Sequence, residues 1–118
     1  LMSMDKIIDR DFKSVGPDME MGQLVHALSS SRNDYMPVLN ENGDLLGEID
    51  ITKLRYIIFR TELYHRFHVS QLMTPPAAIL GSNDPMEDVM KTFDRTGAQY
   101  LPVVNVDNHL VGPFIQYV

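Results

Sequence analysis

The feature that most constrains this chain is an internal repeat, because the sequence aligns with itself without a gap after a shift of 65 positions. Eight residues are identical between the two copies across residues 15–50, whereas unrelated segments of that length share roughly two. The identical pairs are Gly16/Gly81, Met21/Met86, Tyr35/Tyr100, Pro37/Pro102, Val38/Val103, Asn40/Asn105, Leu45/Leu110 and Gly47/Gly112. Turn residues and apolar positions share one register, so the chain contains two copies of one structural unit.

The second copy shows the plan of the unit most clearly. A short apolar stretch at 78–80 precedes a predicted helix, with Asp84 as its N-cap and Gly97 as the left-handed residue after its end. Two strands follow, at Tyr100–Val104 and Leu110–Ile115. The helix is predicted from apolar residues at helical spacing, namely Met86, Val89, Met90 and Phe93.

The first copy follows the same plan and then adds one element. It has an extended stretch at 12–15, a helical stripe (Leu24, Val25, Leu28), a strand at 35–39, a turn at Asn42-Gly43 and a strand at 45–49. Apolar residues at helical spacing then predict an additional helix over Ile51–Phe67. Pro75-Pro76 exclude helix from the end of the linker that follows.

These patterns predict an α+β fold made of two β-α-β-β-(α) repeats that pack around a pseudo-twofold axis. One repeat buries too little apolar surface to be stable alone. Position 53 corresponds to position 118, so the second repeat lacks its final helix. The predicted bounds are residues 10–67 for the first repeat with its helix, 68–76 for the linker and 77–118 for the second repeat.

Composition excludes several classes of function. The 118 residues carry a net charge of −6 and no cysteine, which excludes disulfides and thiolate chemistry and argues against nucleic-acid partners. No apolar run approaches the roughly 20 residues that span a bilayer, so direct membrane insertion is not expected. His65 and His68 have a spacing compatible with zinc, but no Asp, Glu or Cys joins them at ligand spacing, so no metal site is predicted. Without a nucleophile motif or a phosphate loop, the sequence predicts a protein that is not an enzyme.

The repeated motifs resemble a tandem pair of CBS domains, the arrangement called a Bateman module. The resemblance rests on Tyr-Met-Pro-Val-Leu at 35–39, Tyr-Leu-Pro-Val-Val at 100–104 and the turn-and-strand pieces at 42–47 and 107–112. The linker Val-Ser-Gln-Leu-Met-Thr-Pro at 69–75 also matches the segment that leads into a CBS repeat. The segment at 54–64 is similar to the inter-repeat region in the cytoplasmic C-terminal tails of bacterial ClC-type chloride channels and exchangers.

The resemblance implies adenine-nucleotide binding in clefts between the repeats, with AMP, ADP or ATP as a regulatory ligand and no required cofactor. In the family, a Thr or Ser three residues after the strand glycine holds phosphate, and an Asp six residues after it holds the ribose. This sequence has Asp50 and Lys53 after Gly47, and Ile115 and Val118 after Gly112, so neither repeat carries that pair and nucleotide binding is expected to be weak. The candidate binding residues are Lys13, Ser14, Val15, Tyr35, Met36, Pro37, Asp50, Thr52, Lys53, Ile79, Leu80, Tyr100, Leu101 and Pro102.

CBS pairs also associate through their helices, which implies a homodimer. The candidate dimer or docking residues are Met21, Met86, Met90, Tyr56, Phe59 and Tyr64. The resemblance favours a regulatory and dimerisation module of a ClC-type transporter, joined to a transmembrane domain of the same polypeptide on the cytoplasmic side of the inner membrane. The alternative is a stand-alone or enzyme-attached CBS protein that senses adenine nucleotides.

Overall fold

The computed structural model describes residues 7–31 and 34–116. This part of the chain contains four α-helices and five strands. The helices are α1 (Met21–Ser29), α2 (Ile51–Leu54), α3 (Val69–Leu72) and α4 (Met86–Thr96), and a 3₁₀ helix covers Thr61–Leu63. The strands are β1 (Pro37–Leu39), β2 (Leu45–Glu48), β3 (Leu80–Gly81), β4 (Tyr100–Val104) and β5 (Leu110–Ile115). The α+β class is therefore confirmed.

Strand pairing reproduces the 65-residue repeat. In the second repeat β3 is parallel to β4, and β4 is antiparallel to β5. In the first repeat Val15 makes the corresponding parallel bridge to Val38, and β1 is antiparallel to β2. Both hairpins are irregular at the same place, between Val38 and Leu39 and between Val103 and Val104. The duplicated sequence thus forms the same hairpin twice.

Equivalent residues of the two repeats meet each other, which locates the pseudo-twofold axis. The rings of Tyr35 and Tyr100 stack with their centroids 5.7 Å apart. At the hairpin turns, Asp44 bridges His109, and the Asp44 Oδ1 atom lies 3.6 Å from His109 Nε2. Each contact joins two positions that are 65 residues apart. The two repeats therefore face each other across an axis that passes close to these two pairs.

The segments that lead into the repeats cross over, each pairing with the hairpin of the other repeat. Thr74, which precedes the second repeat, exchanges two backbone hydrogen bonds with Glu48 of β2, each of 2.9 Å. At the equivalent place, the Asp9 N–H donates to the Pro113 carbonyl of β5 at 3.0 Å. We call Ile8-Asp9 and Met73-Thr74 the lead-in segments. They close the outer edge of each hairpin.

Each repeat has its own apolar core beneath its helix. The first contains Val15, Leu24, Met36, Val38, Ile49, Leu54 and Val69. The second contains Ile8, Leu80, Val89, Phe93, Leu101, Val103 and Phe114. Ile8 comes from the segment before the first repeat, yet it packs in the core of the second, so the crossover is also made by side chains. Among residues 7–31 and 34–116, no helix is both long and apolar enough to span a bilayer.

The additional helix predicted over Ile51–Phe67 is wrong as a single element. Helix α2 ends at Leu54, turns follow, and the 3₁₀ helix begins only at Thr61. Arg60 has a ψ of 86°, which no helix accommodates. The Tyr64 hydroxyl donates to the Ile58 carbonyl at 2.6 Å and satisfies it where the helical ladder is interrupted. Of the apolar residues at helical spacing in this segment, Leu54 and Leu63 are buried, but Phe59 is 87% exposed, and the spacing did not reveal the break.

Other local predictions need smaller corrections. Pro85, not Asp84, is the N-cap of α4, and the Asp84 carboxylate instead accepts the Gly81 N–H at 2.9 Å. The linker contains the one-turn helix α3, which ends before Pro75-Pro76. Gly97 is left-handed with a φ of 65°, as predicted. The predicted end of the second repeat at residue 118 lies outside the described residues.

Candidate ligand cleft between the repeats

Both repeats line a concave site of about 750 Å³, which we call the inter-repeat cleft. Its first wall comes from the residues before β1, the end of β2 and the start of α2. Its second wall comes from the connection between α4 and β4. The lining residues are Asp34, Tyr35, Glu48, Ile49, Asp50, Ile51, Thr52, Arg55, Gly97, Ala98, Gln99 and Tyr100. The volume lies within the usual range of small-molecule sites, roughly 300–1,000 Å³.

The back of the cleft is apolar and aromatic. Tyr35 is 4% exposed and Ile49 is 3% exposed, and both are anchored in the first repeat. The Tyr100 ring stacks on Tyr35 from the second repeat, while Ala98 adds a small apolar side chain beside it. An aromatic and aliphatic floor of this kind suits a flat, uncharged ring system.

The front of the cleft is polar and mostly acidic. Asp50 is the N-cap of α2, and its carboxylate accepts the Thr52 backbone N–H at 3.1 Å. Asp34 and Glu48 bring two further carboxylates, and of the described lining residues Arg55 alone is cationic. Carboxylates accept hydrogen bonds from ribose hydroxyls, and a guanidinium binds a phosphate group.

Burial and neighbouring negative charge raise the pKa values of two groups in the cleft, Glu48 and Tyr35. Burial raises the pKa of the Glu48 carboxyl, and the negative charge of Asp50 raises it further. Burial also raises the pKa of the Tyr35 hydroxyl, with a smaller contribution from Glu48. Tyr35 therefore stays neutral at physiological pH, and Glu48 binds its proton more tightly than an exposed glutamate does.

The structure brings four of the fourteen candidate binding residues into the inter-repeat cleft, namely Tyr35, Asp50, Thr52 and Tyr100. Six others are buried in the two cores or strands: Val15, Met36, Pro37, Leu80, Leu101 and Pro102. Lys13, Ser14, Lys53 and Ile79 are exposed outside the described lining, and the Lys13 Nζ atom donates to Ser30 Oγ at 3.2 Å.

Sequence reasoning missed eight lining residues. Arg55 and Glu48 lie only a few residues from Asp50, so the pattern of charges around Gly47 was a usable signal for them. Gly97, Ala98 and Gln99 carried no chemical signal, since they enter the cleft only because α4 ends there. The remaining residues that were missed are Asp34, Ile49 and Ile51.

The candidate dimer and docking residues differ in their exposure. Met21 is fully buried, so it has no surface to offer a partner, and Met86 is half-buried against the second core. Met90 is 42% exposed on the outer face of α4. Tyr56 and Phe59 are more than four-fifths exposed on the turns after α2. Tyr64 packs its ring close to Gly22 on α1.

Comparison with known proteins agrees with this architecture. A hypothetical conserved protein from Geobacillus kaustophilus is 18% identical with a TM-score of 0.84, and the match covers 98% of this chain and 90% of that one. CBSX2 from Arabidopsis thaliana, solved in complex with AMP, is 20% identical with a TM-score of 0.78, covering 98% and 91%. The cytosolic domain of the Mg²⁺ channel MgtE, solved with ATP, is 20% identical with a TM-score of 0.74, covering 92% and 44%.

At these identities the solved structures establish the fold alone. A comparison with curated proteins finds no match. The family assignment comes from the sequence itself, which matches the CBS domain family over residues 4–60 and 69–112. The match falls on the two repeats and leaves out the segment between them. This chain is therefore a member of the CBS domain family and contains a tandem pair of CBS domains.

Proposed function

We propose that this chain is a regulatory module without catalytic activity of its own, and that its signal is an adenine nucleotide bound in the inter-repeat cleft. The observation that carries this proposal is that both repeats line the cleft, with Tyr35 and Asp50 on one side and Gln99 and Tyr100 on the other. A ligand that contacts both walls can bind one relative arrangement of the repeats more tightly than another, and it shifts the equilibrium by that difference in affinity. Binding can thereby be transmitted to whatever the module contacts.

The chemistry of the cleft supports an adenine ligand. The base is flat and apolar on its faces, which suits the floor made by Tyr35, Ile49 and Tyr100. The Asp50 carboxylate can accept hydrogen bonds from ribose, and Arg55 can pair with phosphate. Two proteins of the same fold, CBSX2 and the MgtE cytosolic domain, were solved with AMP and ATP respectively.

The comparisons support the sensing function better than attachment to a ClC-type transporter. None of the three structures described above is a chloride channel, although MgtE shows that this fold serves a membrane channel. The similarity to ClC tails rested on the segment at 54–64, which the structure divides into a turn and a 3₁₀ helix. We therefore propose the regulatory module without specifying an attached domain.

The proposal is tested by filling the cleft. Thr52 is exposed on α2 and lines the cleft, so Thr52→Trp places a large ring there without disturbing either core. We expect calorimetry to show AMP binding to the unmodified chain and at least a tenfold loss in Thr52→Trp, because the indole takes the ligand's space. Thr61→Trp, exposed in the 3₁₀ helix outside the cleft lining, is the matched control and should bind AMP normally. Undiminished binding in a folded Thr52→Trp variant would place the ligand elsewhere.

We also propose that the module is a homodimer formed through its helices. Helix α4 buries Val89 and Phe93 on one face and exposes Met90 on another, so it keeps apolar surface for a partner after packing on its own sheet.

A further inference from the structure

We infer that the inter-repeat cleft selects adenine ligands carrying at most one phosphate group and discriminates against nucleoside triphosphates. This inference rests on the proposed function, because it concerns which member of the adenine class the same cleft takes. It follows from how charge is distributed over the described lining residues.

Negative groups outnumber positive ones at the mouth of the cleft. The described lining contains three carboxylates, from Asp34, Glu48 and Asp50, and one guanidinium, from Arg55. One arginine can neutralise one phosphate group through paired hydrogen bonds. Every further phosphate adds negative charge among carboxylates, with no second cation among the described lining residues to neutralise it, which raises the electrostatic cost of binding.

Asp50 also occupies a backbone donor that an anion would otherwise use. Its carboxylate accepts the Thr52 N–H at 3.1 Å, at the start of a helix of only four residues. A helix this short provides little dipole to attract an anion. One donor of the first turn of α2 is thus already occupied, and Asp50 presents a carboxylate to the cleft.

The opposite wall repels anions as well. Helix α4 has eleven residues and ends at the cleft, where its C-cap Gly97 is one of the lining residues. The carbonyl end of a helix carries a partial negative charge. A polyphosphate in the cleft would therefore lie between this helix end and the carboxylates of the first repeat.

Glu48 and Asp50 already repel each other before any ligand enters. Asp50 contributes to the raised pKa of Glu48, although burial is the larger cause. An anionic ligand would add to this repulsion, whereas a neutral base and ribose would not. The apolar floor and the acidic mouth together favour the nucleoside part of the ligand and penalise a long phosphate chain.

The test compares adenosine, AMP, ADP and ATP by calorimetry on the whole chain, without divalent cations and at low salt. We expect adenosine or AMP to bind tightest and ATP to bind at least about tenfold more weakly, because unscreened like charges in a partly buried site repel strongly. Raising the salt concentration should narrow this difference, since it screens the repulsion.

The Asp50→Asn variant tests whether the Asp50 carboxylate causes the discrimination between AMP and ATP. Asparagine caps helices as well as aspartate does, so the variant should fold while losing one negative charge at the cleft. We expect its ratio of AMP affinity to ATP affinity to fall at least threefold. Asp107→Asn is the matched control: it removes the same charge at an exposed hairpin turn, where the first repeat already has Asn42, and should leave the ratio unchanged.

The outcomes separate this inference from the proposed function. ATP binding as tightly as AMP would overturn the inference and leave adenine sensing intact. An unchanged ratio in Asp50→Asn would also overturn it, because the selectivity would then not come from the carboxylate. If none of the four ligands binds, both the inference and the proposed function fail.

Discussion

Single residues hold the crossover between the repeats in place. Gly112 on β5 has a φ of 154°, and a Cβ atom there would overlap the Asp9 carbonyl oxygen of the lead-in segment. Gly47, its equivalent on β2, would bring a Cβ atom to 3.0 Å from the Thr74 carbonyl oxygen. The repeated glycine therefore exists at both positions so that the other repeat's lead-in backbone can approach closely.

Gly112→Ala should lower the free energy of unfolding by about 2 kcal/mol or more, because the methyl group displaces the lead-in backbone and the φ value suits glycine. Urea denaturation measures the loss. Gly16→Ala is the matched control, since a Cβ atom there meets nothing within 4 Å, and its effect should stay within about 0.5 kcal/mol. Equal stabilities for the two variants would show that the Asp9 backbone does not approach Gly112 as closely as described.

The sequence alone revealed some of the residues that shape the hairpins, but not all of those that line the cleft. Asn40 and Asn105 were found as an identical pair of the repeat, and the structure shows their role: each Oδ1 atom accepts two backbone N–H groups in its hairpin turn. Ala98 and Gln99 could not be predicted as cleft residues, because neither side chain carries a signal for binding. Their position depends on where α4 ends relative to the first repeat, which is a tertiary property.

At the scale of elements, helix α4 covers one face of the second sheet and closes its core. On α4, Phe93 is 1% exposed and packs against Phe114 of β5 with ring centroids 5.3 Å apart. The helix with the strongest amphipathic pattern was predicted well for this reason. The interrupted segment after α2 was predicted poorly, because its apolar spacing is helical while its geometry depends on Tyr64 and on contacts with α1.

Phe93→Ala should destabilise the fold by about 3–5 kcal/mol, since it removes a ring from a closed core and leaves a cavity. Thermal or urea unfolding followed by circular dichroism measures this. Phe59→Ala makes the same chemical change at a ring that is 87% exposed and should shift stability by no more than about 0.5 kcal/mol. A large loss in Phe59→Ala would instead show that the turn after α2 is packed.

At the scale of the whole molecule, the repeat register predicted the pairing of the hairpins and the pseudo-twofold arrangement. It could not predict that Ile8 enters the second core or that the lead-in segments cross over. Both features depend on contacts between residues more than 25 positions apart, which local patterns do not encode. The cleft belongs to this scale too, because it forms only when the two repeats face each other.

The proposed homodimer is tested at this scale. Light scattering at micromolar concentration should give a mass near twice 13.5 kDa. Met90→Glu should shift the chain toward the monomer, because it places a charge in the apolar surface exposed on α4. Val106→Glu changes an apolar residue that is 86% exposed at a hairpin turn and should leave the mass unchanged. If light scattering shows that the unmodified chain is a monomer, the homodimer proposal is wrong.

The crossed lead-in segments determine what a single copy of the unit would lack. A polypeptide with one copy of the unit would have one unpaired hairpin edge. Its lead-in segment would have no hairpin of a second repeat to pair with. Two such polypeptides could pair by exchange, because the lead-in segment of each could form backbone hydrogen bonds with the open hairpin edge of the other. Joining the copies in one chain turns that exchange into a contact within a single molecule, where the partner strand is always present at high effective concentration.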